Sequence, residues 1–105
     1  MTYRLQQRVR DFVDTYDLEA DIPYRLLDWI SEVGEVAKEL LVSTDYGRTP
    51  FRPGDHWTEE LGDAFFSLIC VANATSVDLE AALLRALAKY RDRLEARQDA
   101  GSTGC

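Results

Sequence analysis

The sequence predicts an all-α fold, a four-helix bundle formed by a single domain over residues 1–98. Apolar residues recur every three or four positions in four separate segments, and no segment shows the alternation of a half-buried strand. The glycines and prolines that break these patterns are concentrated in one loop. A chain of 105 residues buries only about two-thirds of the surface that its unfolded form exposes. We therefore expect homo-oligomerisation to complete the bundle.

The first two helices are predicted from apolar periodicity and from their start signals. The first runs from about Thr2 to Tyr16, with apolar residues at three- and four-residue steps: Leu5, Val9, Phe12, Val13 and Tyr16. The second begins near Pro23, since proline is favoured in a first turn, and Asp21 is its expected N-cap. Its apolar stripe is continuous: Leu26, Leu27, Ile30, Val33, Ala37, Leu40 and Leu41.

A long loop separates these helices from the other two. Ser43 to His56 follows neither pattern, and its length of roughly a dozen residues makes it a candidate for a functional loop. The third helix is predicted from about Trp57 to Ala74, with this apolar side: Leu61, Ala64, Phe65, Leu68, Ile69 and Ala72. The fourth runs from near Asp78 to about Gln98, with this apolar row: Leu79, Leu83, Ala86, Leu87, Tyr90 and Leu94. The small polar residues 99–105 are expected to be disordered.

Charge and composition exclude several classes of function. Twelve basic and nineteen acidic side chains give a net charge of −7, which argues against a nucleic-acid partner and against docking on an anionic membrane. The first eight residues lack the apolar core of a signal peptide, and no apolar run is long enough to span a membrane. Two cysteines provide no disulfide framework, so we expect a cytoplasmic protein.

Acidic residues at helical spacing are the most informative feature. Glu32, Glu35 and Glu39 share one face of the second helix, and Glu60 and Asp63 repeat the arrangement on the third. Like charges at this spacing repel one another, so two such pairs facing one interior cost stability unless a cation neutralises them. Carboxylate oxygens suit Mg²⁺, with Mn²⁺ as a substitute. The sequence therefore predicts a magnesium site between the two helices.

Two alternatives compete with this interpretation. Acidic residues on a helix most often form a solvated face that binds nothing. A di-iron bundle also uses inward carboxylates, but it needs Glu-x-x-His pairs on two helices. The only histidine is His56, which lies in the predicted loop. We therefore regard a di-iron site as unfavourable.

These motifs resemble a known family. Residues 31–40 (Ser-Glu-Val-Gly-Glu-Val-Ala-Lys-Glu-Leu) and 59–65 (Glu-Glu-Leu-Gly-Asp-Ala-Phe) resemble the E-x-x-E … E-x-x-D signature of the MazG-like nucleotide pyrophosphohydrolases, an all-α superfamily. The resemblance covers roughly residues 5–95. It implies a MazG-like bundle that assembles as a homodimer or homotetramer. It also implies hydrolysis of a (d)NTP to the monophosphate and pyrophosphate, in nucleotide-pool housecleaning.

The resemblance also implies site residues. Glu32, Glu35, Glu60 and Asp63 would hold Mg²⁺, either Glu32 or Glu35 would act as the general base, and Glu39 would lie in the outer shell.

Candidate substrate-binding residues follow from charge and aromatic character. Lys89 and Arg93, in one row with Arg85 on the fourth helix, and Lys38 on the second would contact phosphates, although a solvated basic row is equally compatible with the spacing. Trp29, one turn before Glu32, would provide a platform for the base, whereas an aromatic residue at this spacing is more often part of a core. The weaker candidates for this platform are Phe12, Tyr46, His56, Trp57 and Phe66. The remaining alternative for the whole chain is a non-catalytic helical module that binds nucleotides or proteins. The family often places an asparagine on the fourth helix, and its absence here favours that alternative.

Overall fold

Four α-helices form the part of the protein that the structure describes. A computed structural model describes residues 2–99, with side chains from residue 4 to residue 98. The helices are α1 (Thr2–Thr15), α2 (Ile22–Ser43), α3 (Asp55–Ala74) and α4 (Leu79–Asp99). No strand occurs within the described residues, which confirms the predicted all-α class. Of the tail that we expected to be disordered, Asp99 is the last residue of α4, and residues 100–105 lie outside the described part.

The helix starts follow the predicted local chemistry. Asp21 is the N-cap of α2 in an extended conformation, although its side chain makes no capping hydrogen bond, and a proline occupies the first turn. Asp78 caps α4, because its Oδ1 accepts hydrogen bonds from the backbone N–H groups of Glu80 (2.9 Å) and Ala81 (3.2 Å). Helix α3 begins at Asp55, two residues earlier than expected. A carboxylate in the first turn is favourable beside the positive end of the helix dipole.

The loop after α2 is a series of turns organised by Thr44. The Thr44 side chain is buried, and its hydroxyl donates to the carbonyl of Leu40 (2.7 Å) and accepts from the N–H of Gly47 (3.1 Å). Gly47 has a φ of 90°, a conformation that strongly favours glycine. At the far end of the loop, the Phe51 and Trp57 rings meet edge-on with centroids 4.9 Å apart. The loop therefore has a defined path between α2 and α3.

Within one chain, α4 projects away from the α2–α3 pair. The α2–α3 pair makes the most extensive contact, while α1 packs on α3 and α4. Helix α4 leaves α3 at 100°, and the radius of gyration is 17.9 Å. A compact domain of about 100 residues has a radius of gyration near 13 Å. No single described helix is long and apolar enough to cross a membrane, and α3 and α4 reach that criterion only as a pair bent at this corner.

The apolar core of the single chain is small. The buried apolar residues among those described are Ile69, Cys70 and Ala72, all on α3. The apolar stripes predicted for α2 and α4 stay largely exposed: Leu27 is 58% exposed and Leu87 53%. The four helices therefore do not close into a bundle within one chain.

A buried amide network holds α1 against the corner between α3 and α4. The Gln6 side chain, 5% exposed, donates from Nε2 to Asn73 Oδ1 (3.0 Å) and to the carbonyl of Val77 (2.8 Å). Its Oε1 accepts from the N–H of Leu79, the first residue of α4 (2.8 Å). Asn73 Nδ2 in turn donates to the Gln6 carbonyl (3.1 Å). Asn73 therefore makes a contact between helices, and this network fixes the point at which α4 leaves the core.

Replacing Gln6 by alanine should lower the free energy of unfolding by about 2 kcal/mol, because buried polar partners lose their hydrogen bonds. Chemical denaturation followed by circular dichroism measures the change. Gln7→Ala is the matched control, since Gln7 is exposed and bonds only to Asp11 within α1. Equal destabilisation by the two variants would contradict the role assigned to this network.

Candidate functional site

The α2–α3 pair brings three carboxylates together. Glu32 on α2 lies opposite Glu60 and Asp63 on α3, and one oxygen from each falls within 4.8 Å of the others. Glu60 and Asp63 are three residues apart and therefore share one face of α3. Glu32 and Glu60 are half-buried, whereas Asp63 is exposed. We call Glu32, Glu60 and Asp63 the acidic cluster.

The carboxylates of the acidic cluster repel one another, and the pKa of Glu60 shows this repulsion. The pKa of Glu60 is raised above its ordinary value, first by partial burial and then by neighbouring negative charges. In decreasing order of effect, those charges belong to Asp63, Glu35, Glu32 and Glu39. Each neighbour disfavours the ionised form of Glu60, as expected for carboxylates that share a site without a compensating cation. A positive ion between these carboxylates would offset their repulsion.

Glu35 and Glu39 lie close to the acidic cluster without belonging to it. Their charges act on Glu60, but the set of oxygens within 4.8 Å of one another does not include theirs. Glu35 is exposed and Glu39 is half-buried on α2. Glu59, next to Glu60 in sequence, is exposed and contributes no resolved effect to the Glu60 pKa.

A cavity of about 440 Å³ adjoins the acidic cluster. Glu32 and Asp63 form part of its wall. The other lining residues are Arg25, Asp28, Phe66 and Ser67. We call this space the α2–α3 cavity.

Of the four additional lining residues, Phe66 was a weaker candidate than Trp29 for contact with the base, and the other three were not predicted as site residues. Asp28 precedes Glu32 by four residues, and Ser67 follows Asp63 by four, so each lies one turn from a cluster member on the same helix face. This four-residue spacing was the sequence signal that could have indicated Asp28 and Ser67 as site residues. Arg25 donates to the carbonyl of Leu18, which attaches its guanidinium to the α1–α2 connection.

The predicted substrate-binding residues are distributed over the molecule. Trp29 is half-buried and Lys38 exposed on α2. On α4, Lys89 lies over the ring of Tyr90, 5.1 Å from its centroid, and Arg93 is exposed. None of these four residues is among the described residues that line the α2–α3 cavity. Their roles in substrate binding remain predictions.

Comparisons with known proteins indicate the family to which the chain belongs. The model of the MazG nucleotide pyrophosphohydrolase domain matches residues 24–97. The "Uncharacterized protein YpjD" of Bacillus subtilis (strain 168) is 37% identical over 65 residues, which are 59% of this chain and 57% of that protein. The chain therefore spans little more than half the length of this curated relative. No solved structure matches the chain.

The matched region contains the acidic cluster and most of the fold. It extends from the first turn of α2 into the last turns of α4 and includes Glu32, Glu35, Glu60 and Asp63. It covers more than half of the chain. The chain belongs to the family of the MazG nucleotide pyrophosphohydrolase domain.

Proposed function

We propose that the protein is a Mg²⁺-dependent nucleoside triphosphate pyrophosphohydrolase, which converts a (d)NTP to the (d)NMP and pyrophosphate. The observation that carries the proposal is the acidic cluster, three carboxylates with oxygens within 4.8 Å of one another, in a chain of the MazG family. Removal of noncanonical or surplus nucleotides in the cytoplasm is the role that fits this activity. Neither a nucleic acid nor a membrane is part of the proposal.

The donor chemistry of the cluster fits Mg²⁺. Glu32, Glu60 and Asp63 offer only oxygen ligands, which hard divalent cations prefer, and Mn²⁺ is the expected substitute. The raised pKa of Glu60 supports the fit, because a bound cation would offset the repulsion that causes it. Glu35 is the proposed fourth ligand. When bound, Mg²⁺ would neutralise the triphosphate and acidify water.

The chain's own side chains would position the substrate and move the proton. A water molecule attacks one of the two phosphorus atoms of the anhydride bond between the α and β phosphates. That bond breaks, and the (d)NMP and pyrophosphate are released. Glu35 or Glu32 accepts the proton of that water as general base. Lys38, Lys89 and Arg93 would neutralise phosphate oxygens, and Trp29 would contact the nucleoside.

The assembly that we propose is a homodimer or a homotetramer. Its support is the apolar surface that one chain leaves uncovered along α2 and α4, for example at Leu27, Ile30, Leu83 and Leu87, each at least half exposed. A second copy provides a matching apolar surface, and closed symmetric pairing would cover both. Because α4 departs from α3 at 100°, we propose that its cations serve the acidic cluster of a neighbouring chain.

The proposal is tested by incubating the purified protein with a panel of ribo- and deoxyribonucleoside triphosphates, with Mg²⁺ or with EDTA. We expect at least one triphosphate to yield monophosphate and pyrophosphate in equal amounts, and only with Mg²⁺. Release of diphosphate and inorganic phosphate would place cleavage at a different bond and contradict the proposal. Binding by calorimetry without turnover would support the non-catalytic nucleotide-binding module instead.

A further inference from the structure

The walls of the α2–α3 cavity differ in chemical character from one end to the other. Glu32 and Asp63 of the acidic cluster form one end, where a metal ion would hold phosphates. One turn further toward the start of α2 lies Asp28, and a further turn away lies Arg25. Phe66 and Ser67 of α3 complete the wall. The space beside the cluster is therefore lined by an aromatic ring, a hydroxyl and one charge of each sign.

This lining fits the uncharged part of a nucleotide better than its leaving pyrophosphate. A pyrophosphate group entering the cavity would approach Asp28 with no metal beside it, and like charges repel. Arg25, the one cation among the described lining residues, keeps its charge while it donates to the carbonyl of Leu18, but Asp28 offsets that charge, so the wall beyond the cluster has no net positive charge. A nucleoside carries no charge of its own. We therefore orient the pyrophosphate toward the C-terminal half of α2, which carries Lys38.

Phe66 is suited to contact a base. Its ring is half-buried and is held edge-on by Phe12, with centroids 6.1 Å apart and planes at 88°. The ring also lines the cavity, so the surface that Phe12 does not cover is open to a ligand. Any of the nucleic-acid bases can stack on an aromatic side chain, because every base has a π-face. Phe66 therefore provides affinity for a base but does not distinguish one base from another.

Asp28 is the residue that can distinguish bases. It is exposed and lines the cavity, so its carboxylate is accessible to a ligand there. An ionised carboxylate accepts hydrogen bonds and donates none. Cytosine presents an amino group where uracil presents a carbonyl oxygen, and a carboxylate bonds the former and repels the latter. Adenine and hypoxanthine differ in the same way.

We propose that the base of the substrate occupies the α2–α3 cavity, stacked on Phe66, and that Asp28 selects amino-bearing bases, cytosine over uracil and adenine over hypoxanthine. This inference rests on the proposed nucleotide pyrophosphohydrolase function and identifies its substrate class. Ser67 is 8% exposed, and its hydroxyl can both donate and accept a hydrogen bond. It can therefore contact the base without preferring an amino group to a carbonyl oxygen.

The test compares kcat/KM for CTP and UTP in the presence of Mg²⁺. The wild-type protein should prefer CTP by about tenfold or more, which is the size of one well-placed base contact. Asp28→Asn should lower that ratio about tenfold, because a carboxamide can also donate to the uracil oxygen. Phe66→Leu should raise KM for both substrates and leave the ratio unchanged. Asp92→Asn, on the surface of α4, is the matched control and should change neither parameter.

The outcomes separate this inference from the proposed function. If triphosphates are hydrolysed with Mg²⁺ but the wild type favours UTP, or Asp28→Asn keeps the wild-type ratio, base selection by Asp28 is wrong and the activity stands. If no triphosphate is hydrolysed, the proposed activity is wrong, and calorimetry with CMP and UMP tests the cavity directly. Preferential binding of CMP that Asp28→Asn removes would then support the inference. Equal binding of the two nucleotides, or none, would overturn it.

Discussion

Glu32→Gln should reduce kcat/KM for triphosphate hydrolysis by about a hundredfold or more. The substitution keeps the shape of the side chain but removes one of the three charges of the acidic cluster. Metal ions contribute several kcal/mol of charge stabilisation in phosphate chemistry, and each 1.36 kcal/mol is a factor of ten in rate. The same variant should lose most of the rise in melting temperature that Mg²⁺ causes in the wild type, because a cation that binds only the folded state stabilises it by mass action.

Glu59→Gln is the matched control for this prediction. It makes the same chemical change on the neighbouring helix, at an exposed position next to Glu60 but outside the cluster. We expect near-normal rates and a normal response to Mg²⁺. The metal-free Glu32→Gln protein should be at least as stable as the wild type, since one repulsive charge is gone, so unfolding cannot explain its inactivity. Full activity of Glu32→Gln would show that the cluster does not hold the catalytic ion.

Leu87→Asp should convert the proposed assembly to monomers. Leu87 is 53% exposed in the single chain and lies in the apolar row of α4. Burying one leucine contributes about 1.5–3 kcal/mol to the free energy of association. A two-fold symmetric interface contains each substitution twice, once from each chain. A loss of about 3 kcal/mol raises the dissociation constant roughly a hundredfold. Light scattering after gel filtration, or sedimentation equilibrium, measures the mass directly.

Ala96→Asp is the matched control on the same helix. It adds the same charge at an exposed position on the side of α4 away from Leu87 and its row. It should leave the mass of the assembly unchanged. If the wild type itself has the mass of one chain at micromolar concentration, the proposed oligomer is wrong. The exposed apolar faces would then need another occupant.

Local patterns predicted the helices well. The observed ends of α1 to α4 lie within about two residues of the expected ones, because capping residues and apolar periodicity are local properties. The largest shift is the start of α3 at Asp55, where Gly54 is the N-cap in place of a residue with a capping side chain. The family predicted from the acid motifs is confirmed by the match over residues 24–97.

The site was predictable in part. Acid pairs at three-residue spacing indicated Glu32, Glu60 and Asp63 because periodicity assigns residues to a helix face. Phe66 was only a weaker candidate for the base platform, and Arg25, Asp28 and Ser67 were missed. Spacing places Asp28 and Ser67 on the helix faces of Glu32 and Asp63, but whether the two faces meet depends on the register between α2 and α3. No pattern within a single helix encodes that register.

The sequence by itself determined which segments are helices, which helix faces carry charge or apolar groups, and the family to which those motifs belong. Only the tertiary structure decided that α2 and α3 bring three carboxylates within 4.8 Å, and that Gln6 and Asn73 hold α1 at the corner where α4 departs. Helix formation depends on neighbours within one or two turns, whereas these contacts join residues up to about seventy positions apart. Their geometry comes from packing between helices. The periodicity of residues along one helix does not encode how that helix is positioned against another.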